Sequence, residues 1–197
     1  MKPVILDLCG GTGAWSRPWA ESDEYDVRVI TLSEHDVRTY QPPKEVYGIL
    51  AAPPCTFFCV MRNCRGKPTK EQLAGALEVV ASCMNIIWKC QPKFWALENP
   101  RGTLHNWLGE PRLKFQPKDY GDPWTKATNI WGNFNRPMKL FPVKSNGMLI
   151  PGNMKSAILN IGGKWARGAA RSITPPGFAR AFFEANRIRD AEGKEGK

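Results

Sequence analysis

The sequence predicts a single α/β domain on a mostly parallel sheet, and three observations carry that expectation. Short apolar runs of strand length recur along the chain, separated by segments with helical spacing. A glycine-rich turn follows directly on the first apolar run. Two later runs, Tyr47 to Ala51 and Phe94 to Leu97, each stop at proline beside a residue able to do chemistry.

In order, Pro3 to Leu8 reads as a buried first strand. Cys9-Gly-Gly-Thr-Gly-Ala-Trp-Ser16 then turns into a helix that runs to about Ala20. Glycines at such a turn let backbone approach a ligand and open a helix N-terminus toward it. Asp26 to Leu32 alternates as a second strand, and Asp36-Val37 opens a short third one. After Tyr47 to Ala51, Pro53 and Pro54 cannot donate to a ladder, so the chain leaves the sheet on a stiff path that presents Cys55. A polar basic loop, Arg62 to Thr69, precedes a helix capped by Thr69. Leu73, Leu77, Val80, Met84 and Ile87 form its buried stripe, and it ends near Cys90 before Pro92. Phe94 to Leu97 ends in Glu98-Asn99-Pro100, and Asn129 to Phe134 is strand-like. Asn135 to Gly168 is mostly loop or short strands. A last helix is capped by Thr174, has proline in its first turn and reaches Asn186.

The totals narrow the function. At 197 residues one domain with a substantial core fits, and a net charge of +10 favours polyanions such as nucleic acid over acidic small molecules. Six cysteines with no secretory signal point to free thiols in a reducing cytoplasm. Cys55, Cys59 and Cys64 do not match common metal-ligand spacings, so no metal is expected. No run approaches the roughly 18 apolar residues of a membrane span, and no membrane partner is expected.

The two strand ends are the chemical focus. If the strands carrying them are parallel neighbours, about 4.8 Å apart, Cys55 and Glu98 converge on one cleft, where open α/β sheets bind ligands. Against this stand a merely buried cysteine after a turn and a glutamate capping a helix over Arg101 to Leu108.

Five blocks, in this order, resemble the DNA cytosine-5 methyltransferases, in particular the short versions of bacteriophages and prophages. They are Asp7 to Ser16, Pro53-Pro54-Cys55, Glu98-Asn99-Pro100, Tyr120-Gly-Asp-Pro-Trp-Thr-Lys-Ala-Thr128 and Thr174-Pro-Pro-Gly-Phe-Ala-Arg180. The resemblance implies a Rossmann-like S-adenosylmethionine-dependent methyltransferase fold, with Cys55 as nucleophile toward carbon 6 of cytosine and Glu98 holding ring nitrogen 3. Lys126 and Thr128 stand where the family grips the base with arginines. Pro54 and Asn99, with Arg62, Arg65 and Lys67 in the following loop, fall to the substrate. Asp7, Cys9, Gly10, Gly11, Thr12, Gly13, Trp15, Asp36, Pro53 and Thr174 fall to S-adenosylmethionine.

The departures are specific. Cys9 replaces phenylalanine and Ala14 a glycine, Thr31 or Leu32 stands where an acid usually ends the second strand, and Thr128 replaces an arginine. The implied division is a catalytic domain over 1–134 and 171–189, a small basic recognition segment over 135–170, and a disordered tail over 190–197. With only about 37 residues between the fourth and fifth blocks, base readout is expected to be short or relaxed, or to need a specificity partner. The expected activity is cytosine-5 methylation of DNA. The alternatives are the same chemistry on RNA, single-stranded DNA or a free pyrimidine nucleotide, and a non-catalytic DNA-binding relative.

Overall fold

The computed structural model describes residues 1–32, 34–59, 66–122, 125–140 and 173–189. Arg62 and Arg65, most of the expected recognition segment and the expected tail lie outside the described residues.

Six strands form one sheet in the order β2-β1-β3-β4-β6-β5. These are β1 (Val4–Leu8), β2 (Asp26–Ile30), β3 (Gly48–Ala51), β4 (Phe94–Pro100), β5 (Leu113–Phe115) and β6 (Thr128–Asn133). The first four in space run parallel, whereas β6 is antiparallel to both β4 and β5, so the sheet is parallel over four strands and mixed at one edge. Every residue of β3 and all but the first of β1 are buried, as expected of central strands covered on both faces.

Alternate residues supply two cores. Ile5, Leu50 and Ala96 face an aromatic layer of Trp15, Trp19, Phe178 and Phe182, brought by α1 (Arg17–Glu21) and the C-terminal helix, which is α4 (Pro176–Asn186). Leu6, Ile49 and Leu97 face α2 (Lys70–Cys90), which buries Val80, Cys83, Ile86 and Ile87. The expected cap of α2 is present as a capping box, in which Thr69 Oγ1 accepts from Gln72 N–H and the Gln72 side chain accepts from Thr69 N–H. Of its expected stripe, Val80 and Ile87 are fully buried, while Leu73, Leu77 and Met84 are half-buried at the core's edge. By length and composition α2 could cross a membrane, a length of apolar helix that counting uninterrupted apolar residues does not reveal; its buried face packs on the sheet.

Two local expectations are corrected. Asp36-Val37 opens no strand, because the Asp36 carboxylate accepts from Arg38 N–H and its carbonyl accepts from Thr39 and Tyr40 N–H, closing a turn. Thr174 does not cap α4, which begins at Pro176 with Pro175 in the cap position. The N–H of Gly177, in the first turn, instead donates to the carboxylate of Asp122, at 3.2 Å to the nearer oxygen, so the cap comes from a distant turn. The short helix after Pro100 is α3 (His105–Leu108).

Candidate active site

The parallel register places Leu8, Ala51 and Leu97 side by side, so β1, β3 and β4 open on the same edge of the sheet. Ala52 N–H makes the last ladder bond, to Leu8 carbonyl, after which the two prolines carry the chain away. The N–H groups of Phe58 and Cys59 both donate to the Cys55 carbonyl at 3.0 Å, making the thiol the start of one tight turn. Asn99, fully buried, donates from Nδ2 to the Pro53 carbonyl at 3.0 Å and fastens that turn to β4. Cys55 and Glu98 thus arrive together as the two strand ends required.

They line a cleft of ≈ 180 Å³. One wall is the glycine turn, with Asp7, Cys9, Gly10, Gly11, Thr12 and Trp15; the other is Pro53, Pro54, Cys55, Glu98 and Lys126, and Thr174 closes one end. Cys9, Gly11 and Gly13 all have positive φ, and a side chain at Gly10 would run into the Asp7 carboxylate. Nothing lies within 4 Å of where a Cβ of Gly11 would stand, so the turn presents bare backbone to open space.

The electrostatics are uneven. Lys126 Nζ donates to Glu98 Oε1 at 3.3 Å, the two side chains being 16% and 12% exposed. Burial pushes the Cys55 thiol up to about 11; the charges of Glu98 and Cys59 push the same way, and Lys126 opposes them. Burial likewise raises the Asp7 carboxyl to about 6, offset in part by Ser16, whose Oγ donates to Oδ2 at 2.7 Å. Asp7 Oδ1 and Trp15 Nε1 are buried without a hydrogen-bond partner among the described residues.

Several expected site residues fall elsewhere. Gly13 is buried behind the turn, its N–H donating to Gly10 carbonyl. Asp36 is held by Arg38 through bidentate hydrogen bonds and does not line the cleft. Asn99 faces Pro53 rather than open space, and Thr128 Oγ1 donates to Lys126 carbonyl at 2.8 Å, so Thr128 shapes the segment bearing Lys126 instead of offering a free donor. Lys67 is exposed, outside the cleft lining. The lining also includes Ala14 and Pro100, which lie within two of the five blocks, and Ala52 and Ile173, for which adjacency to an expected residue was the only signal.

No known family model matches the chain. A Frog virus 3 (isolate Goorha) protein described as a probable DNA (cytosine-5)-methyltransferase is 28% identical, with 64% of this chain and 69% of the viral protein aligned. A solved structure described as a "putative DNA modification methyltransferase" encoded within an Escherichia coli prophage overlaps 67% of this chain at 16% identity and a TM-score of 0.47, and the chain spans 47% of its length. That likeness is too low to bear on the fold, which rests on the sheet itself. The five ordered blocks and the viral relative together mark a resemblance to the DNA cytosine-5 methyltransferases.

Proposed function

We propose that the protein transfers a methyl group from S-adenosylmethionine to carbon 5 of cytosine in DNA, through a covalent bond between Cys55 and carbon 6. The observation that carries this reading is the meeting of Cys55, Glu98 and Lys126 in one cleft with the glycine turn.

The residues fit the cofactor's reacting end. Asp7 lines the cleft, and its buried Oδ1, without a hydrogen-bond partner among the described residues, suits a cationic or N–H-bearing ligand, which would also satisfy a group now costly to bury. Pockets for whole drug-sized ligands run to about 300–1,000 Å³, so a cavity of ≈ 180 Å³ would hold only part of the cofactor, and the bare backbone of Gly11 leaves open space beside it. When bound, S-adenosylmethionine supplies an electrophilic methyl group.

The chain's own contribution is to make and control a nucleophile. With Glu98 ionised, the thiol stays protonated at neutral pH. Transfer of the Cys55 proton to Glu98 removes the charge that opposes the thiolate and leaves Lys126 beside it, so sulfur becomes nucleophilic as the carboxylate is neutralised. The sulfur then bonds to carbon 6, and Glu98 returns the proton at ring nitrogen 3, where negative charge would otherwise build. Carbon 5 becomes electron-rich and accepts the methyl group. Loss of the carbon 5 hydrogen as a proton and expulsion of the Cys55 thiolate then restore the ring. A base within a duplex must be flipped out to reach this cleft.

The test is methyl transfer from labelled cofactor to duplex DNA, single-stranded DNA, RNA and free cytosine nucleotides side by side. Label at carbon 5 of duplex cytosine is expected, and Cys55→Ala should remove it. Undiminished transfer by that variant would overturn the mechanism, and transfer confined to RNA or nucleotides would overturn the substrate.

A further inference from the structure

A second cavity, ≈ 510 Å³, opens beside the catalytic cleft and is lined in part by Cys59, Arg101, Thr103, Lys114 and Asn129. It is joined to the catalytic residues by covalent and backbone links. Cys59 closes the turn that begins at Cys55, Arg101 follows Pro100 of the catalytic cleft, and Arg101 N–H donates to Ala127 carbonyl, next to Lys126. Arg101 is three residues beyond Glu98, roughly 10 Å in extended chain.

Two groups in this groove have unused bonding capacity. Asn129 is only 7% exposed, yet among the described residues its carboxamide has no hydrogen-bond partner; it sits on β6 between its cross-strand partners Asn99 and Lys114 and lines the groove. The Asn129 amide is not among the buried polar atoms that lack a partner, so its donor and acceptor are open to the groove. The Arg101 guanidinium likewise has no hydrogen bond or ion pair among the described residues, whereas Lys114 is already bound to Glu110 at 2.7 Å. The groove therefore offers one uncompensated planar cation and one amide able to donate and accept together.

We infer that this groove is a subsite for a nucleotide flanking the target cytosine, in which Arg101 takes the phosphate and Asn129 reads the base edge. Guanidinium matches phosphate in a fork geometry, and an amide pairs two atoms of a base edge at once. The subsite deepens the proposed DNA methylation, on which it rests, and gives the catalytic domain a means of reading sequence.

The experiment uses the full chain, with binding and catalysis read separately. DNA affinity is measured across a salt series for wild type, Arg101→Ala and Asn129→Ala, and methyl transfer is compared on four duplexes differing only in the base beside the target. Arg101→Ala should weaken DNA binding about tenfold and flatten the salt dependence by about one phosphate contact, leaving cofactor affinity unchanged. Asn129→Ala should change the ratio of rates among the four duplexes by about fivefold or more, as expected for loss of a paired base contact. Equal melting temperatures for wild type and Arg101→Ala show that the effect is not unfolding. If both variants match wild type in salt slope and base preference while the enzyme methylates DNA, the subsite is wrong and the activity stands. If wild type methylates no DNA but binds it with an Arg101-dependent salt slope, the activity is wrong and the subsite stands.

Discussion

At the scale of single residues, burial holds both shifted acids in the cleft toward their protonated forms. Because burial and the Glu98 carboxylate hold the Cys55 proton on, alkylation of this thiol should be slow at neutral pH and should accelerate toward pH 11. Glu98→Gln removes a charge that raises the thiol and should speed alkylation at pH 8, whereas Lys126→Ala removes the opposing one and should slow it; mass spectrometry of Cys55 modification against time reads both. Equal rates in all three proteins would refute the coupling. For Asp7 the folded-state value of about 6 lies above its ordinary 3.8, so folding favours the protonated form. The stability this confers is present below about pH 4 and is lost as pH rises toward 6, on the order of 3 kcal/mol for a shift of this size. Asp7→Asn, which carries no charge, should therefore gain stability relative to wild type between pH 4 and pH 7, as read by thermal melts. A bound cation should narrow that difference, so cofactor protects wild type more than the variant.

At the scale of elements, the joint between the Pro117–Tyr120 turn of 3-10 helix and α4 holds the end of the cleft. Phe178 stacks on Phe115 with ring centroids 4.0 Å apart, and a side chain at Gly177 would collide with the Tyr120 carbonyl. Asp122→Ala should cost about 1 kcal/mol, the usual worth of a lost N-terminal cap, while Asp122→Asn, which keeps an acceptor, should cost less. Denaturant unfolding measures both, and identical losses would show that the carboxylate is not a cap. This joint was not legible in the sequence. Thr174 carries the side chain expected of a cap and stands near the right place, but the acceptor in use lies 55 residues upstream of Gly177. Asp36 misled for a related reason, since its carboxylate is satisfied within its own turn by Arg38. What local chemistry did reveal was Cys55 and Glu98, because prolines at strand ends announce a side chain delivered to the sheet edge, and parallel register does the rest. The tie from Asn99 to Pro53 spans two strands and leaves no local trace.

At the scale of the whole molecule, the charge of +10 and the edge on which the cleft opens belong together. DNA affinity should fall steeply between about 50 and 200 mM salt, by a factor on the order of 10³ if about six phosphates are neutralised. A salt-independent affinity would remove the polyanion from the account. The C-terminal helix also has a temporal consequence. Ile173 and Thr174, just before it, line the cleft, its aromatic face completes the core against Trp15 and Trp19, and Tyr25 and Tyr47 hydrogen-bond the backbone just after and at its last turn. Translation delivers β1, the turn bearing Cys55 and Glu98 well before this helix, so a nascent chain on the ribosome holds the Cys55 thiol before it has a cleft around it. Ribosome-stalled chains ending before Pro176 should therefore expose Cys55 to maleimide, and chains long enough to free α4 from the exit tunnel should not, making co-translational thiol accessibility a clock for the moment the enzyme becomes competent.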